Sequence, residues 1–288
     1  MRIASLFAGI GGFDLGIKQA IPSSEIVFAS EIDKAARTIY QNHFGSETLY
    51  GDITNIEAAQ IPDIDMLVGG FPCQPFSLAG KRGGFKDTRG TLFYEIARVC
   101  EAKRPKTLFL ENVKGLLSHD NGRTFGKILV VLDELGYDVE WQVLNSKYFG
   151  VPQNRERVFI VGHLRGSGGR QVFPIRQNEK TCNQKTRQVH DIARTLTKRG
   201  YAAWNGSYVF VPDVARCLTG GGHSGGLHSD MTIIPEKENI RRLTPIECER
   251  LQGFPDNWTA GVSDTARYRC LGNAVTVSVI RSIAERLT

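Results

Sequence analysis

Short apolar runs alternate with stretches of helical spacing through the first half of the chain. Residues 2–7 (RIASLF), 25–30 (EIVFAS), 64–68 (IDMLV), 107–112 (TLFLEN), 138–144 and 157–161 read as strands. Runs this short and this apolar suit strands covered on both faces of a largely parallel sheet. Between them, a glycine turn at Gly9–Gly12 opens a helix running to about Ala20. Leu92, Phe93, Ile96, Val99 and Cys100 keep helical spacing, and Phe125, Ile128, Leu129, Leu132 and Leu135 mark a helix that Gly136 stops. Strands alternating with helices predict an α/β fold with a doubly wound sheet.

The texture changes at Leu164. Periodicity weakens, and Gly, Ser, Asn and Thr become common through about residue 235. DIARTLTKRG at 191–200 and DVARCLTGGG at 213–222 form a short internal repeat, either a coincidence of two β-hairpin arms or two equivalent elements offered to a repeating polymer. A helix start follows at Thr244, with Pro245 in the first position, Glu247 completing a capping box and Gly253 as the stop. Val275, Val279, Ile280, Ile283 and Leu287 predict a last helix that needs an apolar face to cover. The expected organisation is a first domain over 1–164, a smaller, irregular β-rich domain over 165–260, and a C-terminal segment over 261–288 that packs back on the first.

Charge sharpens this division. The chain carries a formal net charge of +6, and between Arg155 and Arg199 it has eleven Lys or Arg against three acids, Glu156, Glu179 and Asp191. A solvated face mixes signs, so this stretch favours a polyanionic partner without separating DNA from RNA. The six cysteines, at 73, 100, 182, 217, 248 and 270, lack metal-clip spacing, so neither a metal site nor a disulfide is expected. No apolar run approaches a membrane span and the N-terminus begins a strand, so a cytoplasmic protein without membrane contact is expected.

Candidate chemistry falls at strand ends. Gly69–Ser77 (GGFPCQPFS) follows the third apolar run. Pro72 and Pro75 stiffen the backbone around Cys73, and Gly70 permits close approach. In isolation, Cys73 reads first as a buried structural thiol. The loop at 79–90 (AGKRGGFKDTRG) is too glycine-rich for a regular element, and its position makes it a candidate lid. Glu31, at the end of the second strand, stands about twenty residues past the glycine turn, the interval at which an acid accepts ribose hydroxyls. Asp52 stands where a carboxylate accepts from an exocyclic amine, with Ile53 against a base; taken by itself it is a helix cap before Thr54. The glycine turn lacks a third glycine, Asp14 standing in its place, so these turns suit S-adenosylmethionine better than a dinucleotide. Glu111, after four buried residues, is either a working acid or half of a salt bridge. Arg155 and Arg157 alternate toward one face of an extended segment, with Glu156 on the other.

FAGIGG, Glu31, Asp52, the Cys73 loop, ENV at 111–113, QNRER at 153–157, RLTPIECERLQGFPD and GNAV occur in an order that resembles the DNA cytosine-5 methyltransferases of bacteria and phages. The resemblance covers nearly the whole chain outside 165–240. It implies an S-adenosylmethionine-dependent methyltransferase sheet with a target-recognition domain, acting on a cytosine flipped out of a specific duplex DNA sequence. Cys73 would then attack C6, Glu111 would protonate or hydrogen-bond N3, and Arg157 with Arg155 would hold O2 and the neighbouring carboxylate. The implied cofactor contacts are Phe7, Gly9, Ile10, Gly11 and Gly12, then Glu31, Ile32, Asp52 and Ile53, with Gly70, Pro72, Leu92, Asn273 and Val275. The family often carries an acid where this chain has Ser5. No metal is implied. A monomer is expected, and a cognate restriction endonuclease is a candidate partner.

Three other readings compete: a tRNA cytosine methyltransferase of similar motif order, a nicotinamide oxidoreductase with a reactive cysteine, and a catalytically silent DNA-binding relative. The missing third glycine argues against the second, and the presence of Cys73, Glu111 and Arg157 together argues against the third.

Overall fold

The computed structural model describes residues 1–72, 92–177, 215–216, 233–236 and 239–287, with backbone alone for 215–216, 233–236 and 239–242. Among these residues, one large sheet contains β1 (Arg2–Leu6), β2 (Glu25–Ser30), β3 (Leu49–Tyr50), β4 (Met66–Gly70), β5 (Thr107–Val113), β6 (Tyr137–Asn145) and, past the two-residue β7 (Gln153–Asn154), β8 (Glu156–Leu164). The strand order is β3-β2-β1-β4-β5-β8-β6. The first five strands are parallel, and β8 runs antiparallel to both β5 and β6. The chain leaves β1 in one direction to β2 and β3, then crosses to β4 and β5 on the other side. The crevice at that reversal is where an open sheet of this kind binds ligands.

Alternation along each strand assigns the two faces. Ile3, Met66, Val68, Phe109, Phe159 and Val161 pack against α1 (Gly12–Ala20) and the C-terminal α7 (Val277–Ala284). Ala4, Leu6, Leu67, Leu108, Leu110, Val158 and Ile160 pack against α3 (Leu92–Lys103) and α4 (Arg123–Glu134). The last helix therefore finds its apolar partner on the sheet. Among the described residues no helix is long and apolar enough to cross a membrane.

Two further helices escape the periodicity reading. α2 (Lys34–Phe44) buries only Ala36, Ile39 and Tyr40, and α6 (Asp264–Asn273) only Cys270, Leu271 and Gly272. A helix with so narrow a buried stripe has little apolar signal to read. α5 (Pro245–Gln252) has the anticipated capping box at Thr244 and Glu247, and Gly253 ends it with φ 77°.

Outer strand β6 is covered by residues 171–177. Glu140 accepts from the backbone N–H groups of Val172 and Phe173, and Gln142 accepts from that of Ile175. The Gln177 amide accepts from Asn145 N and donates to Val143 O, satisfying edge groups that would otherwise invite another strand. Beyond this strap the chain enters the region of the internal repeat, most of which lies outside the described residues. Of the repeat, β9 (Ala215–Arg216) pairs in parallel with β7; past it, β10 (Ile233–Glu236) pairs antiparallel with β11 (Asn239–Arg242).

The segment after α5 returns to the sheet through one buried acid. Glu249 accepts from the backbone of Asn257 and Thr259 and pairs with Arg267 of α6 at 3.1 Å. Trp258 then stacks on His43 and donates its indole N–H to the carbonyl of Ile10 in the glycine turn.

Candidate active site

A cavity of about 590 Å³ opens at the C-terminal edge of the sheet, over the crevice between β1 and β4. Its walls come from the ends of β1, β2, β4 and β5, the start of β8, and the end of α6.

One part of the cavity is built on backbone geometry. The turn after β1 puts Phe7, Gly9 and Gly11 at positive φ, a conformation that glycine adopts without a Cβ penalty. Glu31 fastens this turn to the next. Its Oε2 accepts from Gly9 N at 2.8 Å, and its Oε1 accepts from the backbone N–H groups of Ile32 and Asp33 at 2.9 and 2.8 Å. Ile32, 69 % exposed, presents an unburied apolar side chain to the cavity. Asp52 accepts from both the backbone and the hydroxyl of Thr54, so it is the helix cap that its sequence context allows, and it lines the cavity as well. Ser30 lines the cavity too, and its buried hydroxyl has no hydrogen-bond partner.

The other part is ionic. Register puts Gly70 beside Glu111 and Arg157 beside Val113 on adjacent strands. Arg157 Nε lies 3.0 Å from Glu111 Oε1. Burial pushes the Glu111 carboxyl above the usual carboxylate range, opposed by the nearby charges of Arg157 and Arg155. The two alternatives left open for Glu111, acid or salt-bridge partner, are thus not exclusive in space. Arg155 is only 2 % exposed, and its Nη2 donates to the carbonyl oxygens of Gly272 and Ala274 at 3.2 and 2.7 Å. It holds the turn around Asn273 while lining the cavity with Glu111. Glu156 faces away and pairs with Lys114.

Of the residues singled out from sequence, Phe7, Gly9, Ile10, Glu31, Ile32, Asp52, Ile53, Gly70, Pro72, Leu92, Glu111, Arg155, Arg157 and Asn273 all line this one cavity. Gly11, Gly12 and Val275 stand behind it. A Cβ on Gly11 would meet the Phe44 ring at 2.3 Å, and one on Gly12 would meet Val275 Cγ2 at 2.8 Å, so these positions set how closely the second layer packs. Cys73 and the loop at 79–90 lie outside the described residues, as do the basic residues between Lys180 and Arg199. The basic stretch is also less uniform than its count suggests. Arg155 and Arg157 serve the cavity, and Arg165 pairs with Asp133 and Asp138 at the opposite edge of the sheet. These three are therefore engaged by other groups of the chain.

Sequence reasoning passed over two residues that matter here. Asn112 is buried; its amide donates to the carbonyl of Phe71 at 2.8 Å and accepts from Val113 N. It ties the root of the Cys73 loop to the strand end that carries Glu111. A buried amide directly after a strand-end acid was the available signal. Arg269, on α6, lines the cavity and pairs with Asp33 at 2.9 Å. Nothing in the local pattern reveals it, because α6 has no clear apolar stripe. Ser5, where the family often has an acid, donates to Asp14 Oδ2 of α1 at 3.2 Å.

Comparison with known proteins places the chain in a family. A family model described as C-5 cytosine-specific DNA methylase matches residues 1–217 and 218–288. Type II methyltransferase M.NlaX of Neisseria lactamica is 42% identical over 306 residues, covering 99% of this chain and 96% of that protein. Type II methyltransferase M.HpaII of Haemophilus parainfluenzae is 41% identical over 316 residues, covering 98% of this chain and 87% of the relative. Among solved structures, the Dnmt2 methyltransferase of S. pombe superposes with a TM-score of 0.72 at 22% identity, covering 100% of this chain and 98% of that one. The methyltransferase EhMeth of Entamoeba histolytica gives 0.71 at 20% identity, covering 100% and 97%. At such identities the two structures speak for the shared fold alone. The family match and the full-length relatives carry the rest: the chain belongs to the C-5 cytosine-specific DNA methylase family and is a DNA cytosine-5 methyltransferase.

Proposed function

We propose that this enzyme methylates C5 of a cytosine flipped out of a specific duplex DNA sequence, using S-adenosylmethionine and a covalent bond between Cys73 and C6. The observation that carries this reading is the Glu111–Arg157 pair, which lines the same cavity as the Glu31 and Asp52 turns.

The residues present fit the cofactor. The Gly9 N–H, which a pyrophosphate would need, is already taken by the Glu31 carboxylate. Glu31, Asp33 and Asp52 give this part of the cavity an acidic lining that suits ribose hydroxyls, an amine and a cationic sulfonium. The unpartnered Ser30 hydroxyl and the exposed Ile32 side chain offer a polar and an apolar contact to a bound nucleoside. When bound, S-adenosylmethionine supplies an electrophilic methyl group.

The chain's own residues then make the cytosine ring nucleophilic. The Cys73 thiolate forms a bond to C6, and the electrons of the C5–C6 double bond become available at C5. Glu111, its carboxyl raised by burial, holds a proton at N3, while Arg157 fixes that carboxyl and faces the developing charge at O2. Arg155 positions the Gly272–Ala274 turn. Once C5 carries the methyl group, loss of its proton restores the ring double bond and breaks the bond to Cys73. Because C6 is out of reach inside a stacked duplex, the base must leave the helix at a cost of a few kcal/mol.

The recognition domain we assign to 165–260 has flanks held elsewhere, at 171–177 by strand β6 and at 245–260 by the glycine turn, α2 and α6. Side chains that read base edges therefore belong between 178 and 240. A cognate restriction endonuclease, action as a monomer and residence in the cytoplasm belong to the same proposal.

Bisulfite sequencing of host DNA expressing the chain tests substrate, position and sequence context together. A recurrent protected cytosine in one short motif is expected. Methyl transfer to tRNA with none to duplex DNA would overturn the reading, and so would Cys73→Ser retaining near-native turnover.

A further inference from the structure

Among the described residues, the mechanism leaves one cavity-lining cation unused. Arg269 projects from α6, and its Nη2 lies 2.9 and 3.1 Å from the two carboxylate oxygens of Asp33. The residues are 236 positions apart, so this ion pair joins α6 to the turn after β2. Asp33 is already engaged: its Oδ1 caps α2 by accepting from Ala35 N and Ala36 N, each at 3.0 Å. Its backbone N–H donates to Glu31, whose other oxygen holds Gly9. Arg269, Asp33, Glu31 and Gly9 thus form one connected series, and all four line the cavity. Arg37, another cation nearby, donates instead to the carbonyl oxygens of Glu31 and Tyr50.

We propose that Arg269 is a positioning residue for the cofactor, closing the acidic wall formed by Glu31 and Asp33 against the α6 turn that ends in Asn273. This rests on the reading of the cavity as the S-adenosylmethionine site. Arg269 supplies positive charge beside clustered carboxylates and fixes the distance between the two walls. The glutamate then stays aligned for ribose hydroxyls, and the Asn273 turn stays over the pocket. The target-base machinery at Glu111 and Arg157 is held by separate bonds, so the effect falls on cofactor affinity. Both partners are about one-third exposed, at 35% and 32% of side-chain area, which makes the effect moderate.

The test is calorimetric binding of S-adenosylhomocysteine to the full-length protein, with KM for duplex DNA measured alongside. Arg269→Ala is expected to weaken binding roughly fivefold. Asp33→Asn keeps an amide oxygen to cap α2 and is expected to weaken binding by a similar factor. The double variant should be no weaker than either single one, because both remove the same contact. Arg269→Lys should recover part of the loss. KM for duplex DNA should stay within about twofold of the parent value. If Arg269→Ala fails to fold by thermal melting, Asp33→Asn and Arg269→Lys carry the comparison. Unchanged binding in the folded variants overturns the proposal while leaving the cofactor reading intact. A raised KM for DNA with unchanged cofactor affinity also overturns it, in favour of a phosphate contact. A parent protein that does not bind S-adenosylhomocysteine overturns both readings.

Discussion

A Cβ atom on Gly70 would stand 3.1 Å from Oε2 of Glu111. The two residues are register partners on parallel strands. The end of β4 thus serves as the floor on which the β5 carboxyl rests, and a side chain there would push that carboxyl off Arg157.

The first prediction follows from that contact. Gly70→Ala should lower kcat/KM by about tenfold while the protein still folds, because a displacement of a few tenths of an ångström is costly to a positioned acid but tolerable to a sheet. Steady-state kinetics with a thermal melt as control would check this. Native kcat/KM would show that Glu111 has slack at this position.

The second concerns pH. Burial raises the Glu111 carboxyl, so its protonated form persists at higher pH than for a free glutamate, and the proton it holds is lost as pH rises through the raised value. Cys73 needs the opposite change, so kcat/KM should be bell-shaped with Glu111 on the alkaline limb. Glu111→Gln should lower kcat by roughly 10²- to 10⁴-fold and remove that limb. An alkaline limb of unchanged midpoint in the variant would assign it to another group.

The third isolates the loop root. Asn112→Ala removes the donor to the Phe71 carbonyl and leaves a buried acceptor unpaired, at a cost of about 1–3 kcal/mol. Alkylation of Cys73 should change in rate and pH dependence in this variant, because the loop bearing the thiol loses its anchor to β5. Urea unfolding would supply the stability cost, and an alkylation profile identical to the parent's would sink the anchoring role.

The fourth lies beneath the glycine turn. Asp14 is fully buried, and burial pushes its carboxyl up to about 6, against the lowering effects of the Ser5 and Tyr40 hydroxyls. Its folded value exceeds the unfolded one, so the native state binds the extra proton. Stability from this group is complete below about pH 4 and is lost as pH rises through about 6. Asp14→Asn should flatten that part of the pH–stability curve, by up to about 3 kcal/mol. Unfolding midpoints at pH 4 and pH 7 in parent and variant would measure it, and equal pH slopes would reject the assignment.

Several parts of this enzyme are local events and therefore legible in its sequence. A capping box closes on itself over four residues, so Thr244 and Glu247 specify the start of α5 wherever that helix sits. Alternation along β1, β4 and β5 specifies two covered faces, and the glycine turn, Glu31, Asp52 and Glu111 fall at strand ends because the chain itself ends those strands there. Tertiary structure alone decided the pairings. Insertion of β8 antiparallel beside β5 brings Arg157 to Glu111 across 46 residues, while the meeting of Arg155 with the Gly272–Ala274 carbonyls and of Arg269 with Asp33 spans 117 to 236. Such contacts leave no periodic trace, because each partner is one polar residue whose own segment would fold alike without the other. Sequence by itself determined which residues stand at the rim of the sheet. The order of the strands and the return of α6 determined which of them touch, since a charge is stabilised in a buried site only by the partner that folding brings to it.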